Sequence, residues 1–214
     1  MEQPNHHFIE KLDYLQDLYI KSREAIALLE NYNKGKESFL GPHNELRNAL
    51  DHIMKMIRSK NDIEVCEKEY RGAESHLLRA GYDSFELICI NQIQYIKEIL
   101  GQYAAPDISI GFPDYYKEIR KEILNIEKET AKLRETKRQE DSHGKDTFEF
   151  YFEAAEKLIT YVKRIDEHIP IINECYNERI NREKKIQKTS KHGMMWGIIG
   201  AIIGLIGFLY AYFK

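Results

Sequence analysis

The chain has 214 residues, 31% of them charged, yet 32 basic against 35 acidic side chains leave a formal charge of only -3. That near-balance excludes the global basic field of a general nucleic-acid binder, so partner choice must come from local patches. Cys66, Cys89 and Cys175 stand far apart without CxxC or Cys/His ligand spacing, which excludes a zinc module and reads as reduced, packed cytosolic thiols.

The first residues, MEQPNHHFIEKLDYLQ, are polar or amphipathic and do not resemble a signal peptide. His6 and His7 are expected on the surface of a frayed end. Phe8, Leu12, Leu15, Tyr19, Ile26 and Leu29 keep a three/four spacing that predicts a first helix, ending at the polar stretch NYNKGKESFLGP. Pro42 opens a second helix, with Leu46, Leu50, Ile53 and Ile57 on one face. A third begins near Asp62 and runs to Leu100, with Cys66, Tyr70, Ala73, Leu77 and Ala80 as its early stripe and Gly72 and Gly81 as weak points.

GQYAAPDISIGFP, punctuated by Pro106, Gly111 and Pro113, reads as the clearest loop. Tyr116, Ile119, Ile123, Ile126 and Leu133 then recur at heptad-like spacing amid Lys, Arg and Glu, with Thr130 interrupting the seam. This pattern predicts a solvated helix in a hairpin or coiled-coil arm, turning at QEDSHGK. A fifth helix carries Phe148, Phe152, Ala155, Ile159, Val162 and Ile165 and is expected to kink or break at Pro170. No internal repeat stands out.

From Met194 to Phe213 the sequence MMWGIIGAIIGLIGFLYAYF holds twenty residues without a charge. A helix of that length covers roughly the 30 Å hydrocarbon core of a bilayer, and Trp196, Tyr210 and Tyr212 sit at its ends as interfacial rings do. Arg179, Arg182, Lys184, Lys185, Lys188 and Lys191 precede it and only Lys214 follows, which orients the body to the cytosol and makes the segment a tail anchor in the inner membrane. Gly197, Gly200, Gly204 and Gly207 lie on one stripe and leave a groove where a second membrane helix packs closely, so a homo-oligomer is expected. A buried core helix and the ordinary abundance of glycine in membrane helices are the respective alternatives.

On the second helix, RNALDH places an arginine, an amide and a histidine at Arg47, Asn48 and His52. This resembles the Arg-polar-x3-His signature of HEPN domains, small all-helical modules of ribonucleases and prokaryotic defence effectors, in which two protomers usually combine their motifs into one site. The resemblance implies catalytic roles for Arg47, Asn48 and His52. An imidazole moves the 2′-hydroxyl or leaving-group proton while a guanidinium stabilises the phosphoryl charge, without a metal or cofactor. Asn48 and His52 share a helix face, where the amide can orient the ring. The plainer reading pairs Arg47 with Asp51 and leaves His52 a satisfied, half-buried residue. RGAESH, Arg71 to His76, has glycine in place of the polar residue, and RQEDSH, Arg138 to His143, falls in the hairpin turn.

Glu74, His76, Arg79, Asp83 and Glu86 interrupt the third helix and call for partners on another element, with Arg47 and His52 as candidates. Such a polar network, centred on His76, Arg79 and Asp83, serves as a site or as a device that fixes register.

The expected fold is all-α: a helical bundle with a long charged hairpin and one C-terminal transmembrane helix. Residues 1–112 form the HEPN-like domain, 113–170 the arm packing on it, 171–193 a basic juxtamembrane helix and 194–213 the anchor. The resemblance and the anchor together imply an oligomeric membrane effector of antiviral defence, similar in outline to the HEPN-bearing membrane accessory proteins of RNA-targeting CRISPR systems, with RNA or an RNA-guided protein as partner. The alternatives are a membrane-tethered endoribonuclease and a non-catalytic helical scaffold.

Overall fold

A computed structural model describes residues 4–32, 39–137 and 144–212, apart from the side chains of 4–6, 136–137, 190–193 and 207–212. The elements are α1 (Pro4–Tyr32), α2 (Leu40–Arg58), α3 (Ile63–Leu100), α4 (Ala105–Gly111), a π-helical turn (Tyr115–Ile119), α5 (Arg120–Lys137) and α6 (Lys145–Tyr212), with no strand among the described residues. The all-α expectation therefore holds.

The 38-residue α3 is the axis of the body. It starts where the Asp62 carboxylate accepts from Val65 N–H at 3.2 Å, a side-chain cap that satisfies one of the first turn's orphan donors. Against it pack α1, α2 and α6. Leu77, Ile88 and Cys89 of α3 join Leu15 and Leu29 of α1 and Leu158 and Ile165 of α6 in one core. Ile119, Ile123 and Ile126 belong to the same cluster, so residues 113–170 share the core of the preceding helices. The turn expected at 139–145 lies outside the described residues except for Gly144 and Lys145, and RQEDSH lies wholly outside them.

Three local expectations need correction. Pro42, Ala49 and Met56, seven apart, are the buried residues of α2, whereas Leu50 and Ile57 face outward. The buried seam lies roughly 100° round the helix from Leu50, flanked by half-buried Glu45 and His52, each with a partner on α3. The loop read at GQYAAPDISIGFP contains α4, with Pro106 in its first turn, where the missing N–H costs nothing. At Pro170 there is no break: α6 continues through it.

α4 is clasped to α6. Asp107 is only 2% exposed and accepts from Arg179 Nε at 2.9 Å and Nη2 at 3.0 Å, while Ala104 N–H donates to it at 3.3 Å. A Cβ on Gly111 would stand 2.8 Å from the Ile172 backbone, so only glycine permits this approach. Arg179, expected in the basic flank of the membrane segment, is engaged in this contact.

No helix among the described residues is long and apolar enough to cross a membrane. Side chains of the apolar run are described only to Ile206, so the expected crossing rests on the sequence of 194–213. Within 194–206 every residue is exposed, and a Cβ at Gly197, Gly200 or Gly204 would meet nothing within 4 Å. Among the described residues nothing packs on Gly197, Gly200 or Gly204; Gly207 falls among the side chains left undescribed.

Candidate functional site

α2 and α3 are joined by a tight turn, with Asp62 N–H donating to Ser59 O at 2.8 Å, and run antiparallel. Two histidine–glutamate pairs tie them together. His52 Nδ1 lies 2.7 Å from Glu69 Oε2, and His76 Nδ1 lies 2.6 Å from Glu45 Oε2. The two imidazoles stack on one another, with centroids 5.2 Å apart and planes 25° from parallel. Each ring meets its glutamate through Nδ1, which leaves Nε2 directed away from the carboxylate.

The pairing is reciprocal because the sequence is duplicated. Glu45-Leu-Arg-Asn-Ala-Leu-Asp-His52 and Glu69-Tyr-Arg-Gly-Ala-Glu-Ser-His76 both read E-x-R-x-A-x-x-H. Ala49 and Ala73, each fully buried, mark the crossing point. On antiparallel helices, a glutamate seven residues before a histidine meets the other copy's histidine, which gives an approximate local two-fold. The correspondence stops at these eight residues and makes no internal repeat of the chain. Only alignment in space reveals it, since a half-identical octapeptide carries little weight alone.

The asymmetry between the copies also has a function. A Cβ at Gly72 would lie 2.6 Å from His52 Nδ1 and 2.9 Å from His52 Cγ. The glycine that disqualified RGAESH as a catalytic motif is the floor on which the His52 ring rests.

Arg47 does not join this cluster. It sits two residues before Ala49, roughly 160° round the helix from the buried seam, and is exposed, as is Arg71 in the other copy. Among the described residues Arg47 has no ion-pair or hydrogen-bond partner, so the Arg47–Asp51 pair of the plainer reading does not form. Asn48 is half-buried on the flank shared with His52. Within one chain, Arg47 and His52 diverge, and His52 meets His76 instead.

The polar residues of α3 divide among three helices. His76 is bonded to Glu45 on α2, and Glu86, nearly buried, accepts from Arg134 Nε of α5 at 2.9 Å. Tyr14 of α1 has its hydroxyl pKa pushed up to about 12 by burial and then by the Glu74 carboxylate beside it. Arg79 and Asp83 flank Tyr82, whose pKa is raised by burial and then by Asp83, while Arg79 works the other way. Glu45 and Glu69 are the residues that sequence reasoning missed. Their signal was the shared seven-residue offset from each histidine.

Chemically, the cluster locks register: a shift of one turn breaks both pairs at once. It also presents two carboxylate-oriented, partly exposed imidazoles, the groups that general acid–base chemistry uses. No group of three or more His, Cys, Asp or Glu is arranged to hold a metal among the described residues. No family model matches this chain. No curated protein and no solved structure is similar to it either.

The clasp on α6 makes a pH prediction. Arg179 hydrogen bonds, against the opposing effect of burial, hold Asp107 below the ordinary carboxylate range. A depressed pKa contributes stability that is fully present above the unfolded value, near 3.9, and is lost as pH falls through the folded one. The wild-type protein is expected to melt higher than Asp107→Asn by a constant margin above about pH 5. That margin should shrink as pH falls below about 4, in melts recorded by circular dichroism. A margin independent of pH down to 2 would sink the assignment.

Proposed function

We propose that this chain is a self-associating helical effector anchored in the inner membrane by residues 194–213, with its body in the cytosol, acting in prokaryotic antiviral defence by perturbing that membrane. One observation carries the reading: the twenty-residue uncharged run with glycines on a single stripe. Two features support it. The 68-residue α6 extends without interruption from the core into the run, so movements of the body are transmitted to the apolar segment. Ile198, Ile202, Ile203, Leu205 and Ile206 are exposed among the described residues, and an apolar surface of that extent calls for lipid or another protein. The defence role rests on the HEPN resemblance.

A second reading, a metal-independent endoribonuclease, is favoured by the stacked, carboxylate-held His52 and His76. It requires a guanidinium, and because Arg47 diverges from His52 within one chain, Arg47 would act from a second copy.

One expression experiment tests both. Gly200→Ile with Gly204→Ile should leave the full chain in the membrane fraction but reduce its oligomer in detergent to monomer and abolish membrane leakage. Recovery of the wild-type chain as aqueous monomers would overturn the proposal. If His52→Ala with His76→Ala stops toxicity and leaves cellular RNA intact where wild type degrades it, the ribonuclease reading displaces it.

A further inference from the structure

α6 leaves the body at its clasp with α4. Asp107 holds Arg179 there, and beyond that contact every residue from Asn181 to Thr189 is exposed. The stretch between the clasp and the apolar run stands clear of the other described helices.

The charges on this stretch are sorted. Its acids are engaged, since Glu183 accepts from Arg179 Nη1 at 2.8 Å and Glu178 pairs with Arg182 at 3.8 Å. Lys184, Lys185 and Lys188 have no ion-pair partner among the described residues. Lys191 follows in the sequence, and from Lys184 to Lys214 there is no aspartate or glutamate.

The lysines also share a side. At about 100° per residue, Lys184, Lys185, Lys188 and Lys191 fall within an arc of roughly 120°, centred roughly opposite Arg179. Gly197, Gly200 and Gly204 fall within roughly 60° of Arg179, on the far side of the helix from that arc. Helices that pack through their glycines therefore turn their lysines outward, away from one another.

Position along the axis decides what such a face meets. At about 1.5 Å per residue, Lys191 lies roughly 4.5 Å and Lys184 roughly 15 Å before Met194. With 194–213 in the hydrocarbon core, the headgroup layer covers the next 5–8 Å or so, roughly. A Debye length of about 8 Å carries the field of an anionic surface out to Lys184 and Lys185, and long lysine stems extend the reach of the charges.

We propose that Lys184, Lys185, Lys188 and Lys191 form a one-sided collar that binds the headgroups of anionic phospholipids. The inference rests on the membrane reading above and adds to it the lipid class. Charge complementarity selects the lipid: an unneutralised basic face next to an apolar run gains from an anionic surface what a zwitterionic one does not offer.

Trp196 is the only tryptophan and lies at the lysine end of the run, so its fluorescence reports on the lipid beside the collar. The test is quenching of Trp196 in the full chain, reconstituted into phosphatidylcholine vesicles that carry brominated phosphatidylglycerol or brominated phosphatidylcholine. A lysine held at an anionic surface is worth about fivefold in binding, so phosphatidylglycerol should be preferred at least about tenfold. The preference should vanish when Lys184→Gln, Lys185→Gln and Lys188→Gln are combined, and survive arginine at the same three positions. It should also collapse in about 1 M salt, where the Debye length is about 3 Å. Excess inorganic phosphate should leave it unchanged; displacement by phosphate would assign the face to a free anion and overturn the proposal. Equal quenching by the two lipids, or a preference untouched by the triple glutamine change, would overturn the collar and leave the anchor in place. Absence of quenching by either lipid would remove anchor and collar together.

Discussion

Gly81→Val is expected to lower the stability of the full chain by about 3 kcal/mol, and its melting temperature by about 10 °C. Two effects oppose one another. Replacing a mid-helix glycine gains up to about 1 kcal/mol in helix propensity. Against that, even a Cβ at position 81 would lie 2.1 Å from Phe148 Cε2 and 3.1 Å from Ser22 Oγ. Neither neighbour can yield cheaply. The Phe148 ring is buried and meets Phe85 edge to face, with centroids 5.7 Å apart. The Ser22 hydroxyl lies 2.8 Å from Leu18 O and 2.7 Å from Leu77 O, which holds α1 against α3. Overpacking a site bounded in this way costs about 1–3 kcal/mol, and more where the ring and backbone cannot yield, so it outweighs propensity. Equilibrium urea unfolding measures the difference. Phe148→Leu in the same chain should recover part of the loss, and a neutral or stabilising Gly81→Val would show that the two helices do not approach as described.

This glycine illustrates what the sequence discloses and what it withholds. Helical periodicity located α1, α3 and α5 because their apolar residues repeat and face one core. It marked Gly72 and Gly81 as weak points, since a sequence shows the entropy cost of glycine but not the neighbour that needs the space. For α2 periodicity was half right: Leu46 and Ile53 pack partly against the core, while Leu50 and Ile57 face outward. The inner seam is Pro42, Ala49 and Met56, flanked by half-buried Glu45 and His52, each with a partner on α3, and pairing across helices leaves no local trace. α4 was hidden by Pro106, which punctuates a loop and opens a helix equally well. At Pro170 a kink or break was expected; α6 runs through the proline without a break.

The site was legible in part. Arg47, Asn48 and His52 were found by a local motif, and His76, Arg79 and Asp83 by their charge on an otherwise packable helix. Their partners were not, because Glu45 and Glu69 look like solvent-facing acids until the two octapeptides are laid antiparallel. The motif's own logic then changes: spacing that puts Arg47 and His52 five apart sends them to different flanks of α2, so the histidine's neighbour comes from the second copy of the octapeptide.

Gly72→Leu is the sharper probe of that arrangement. The new Cβ would overlap the His52 ring at Nδ1, Cε1 and Cγ, at 2.6–2.9 Å. Since Cγ is the root of the ring, a small rotation gives no escape and the imidazole must leave its seat. Glu69, almost fully buried, then loses its only hydrogen-bond partner among the described residues. That loss costs about 1–3 kcal/mol, overpacking adds about 1–3 kcal/mol, and helix propensity returns up to about 1 kcal/mol, for a net destabilisation of about 3 kcal/mol. The decisive measurement is a double-mutant cycle. In a His52→Ala background the ring is gone, Glu69 is already unpaired, and Gly72→Leu should cost less than about 1 kcal/mol, giving a coupling of about 2 kcal/mol. Equal penalties in both backgrounds would mean that His52 does not rest on Gly72, and the reciprocal pairing built on that contact would fall with it.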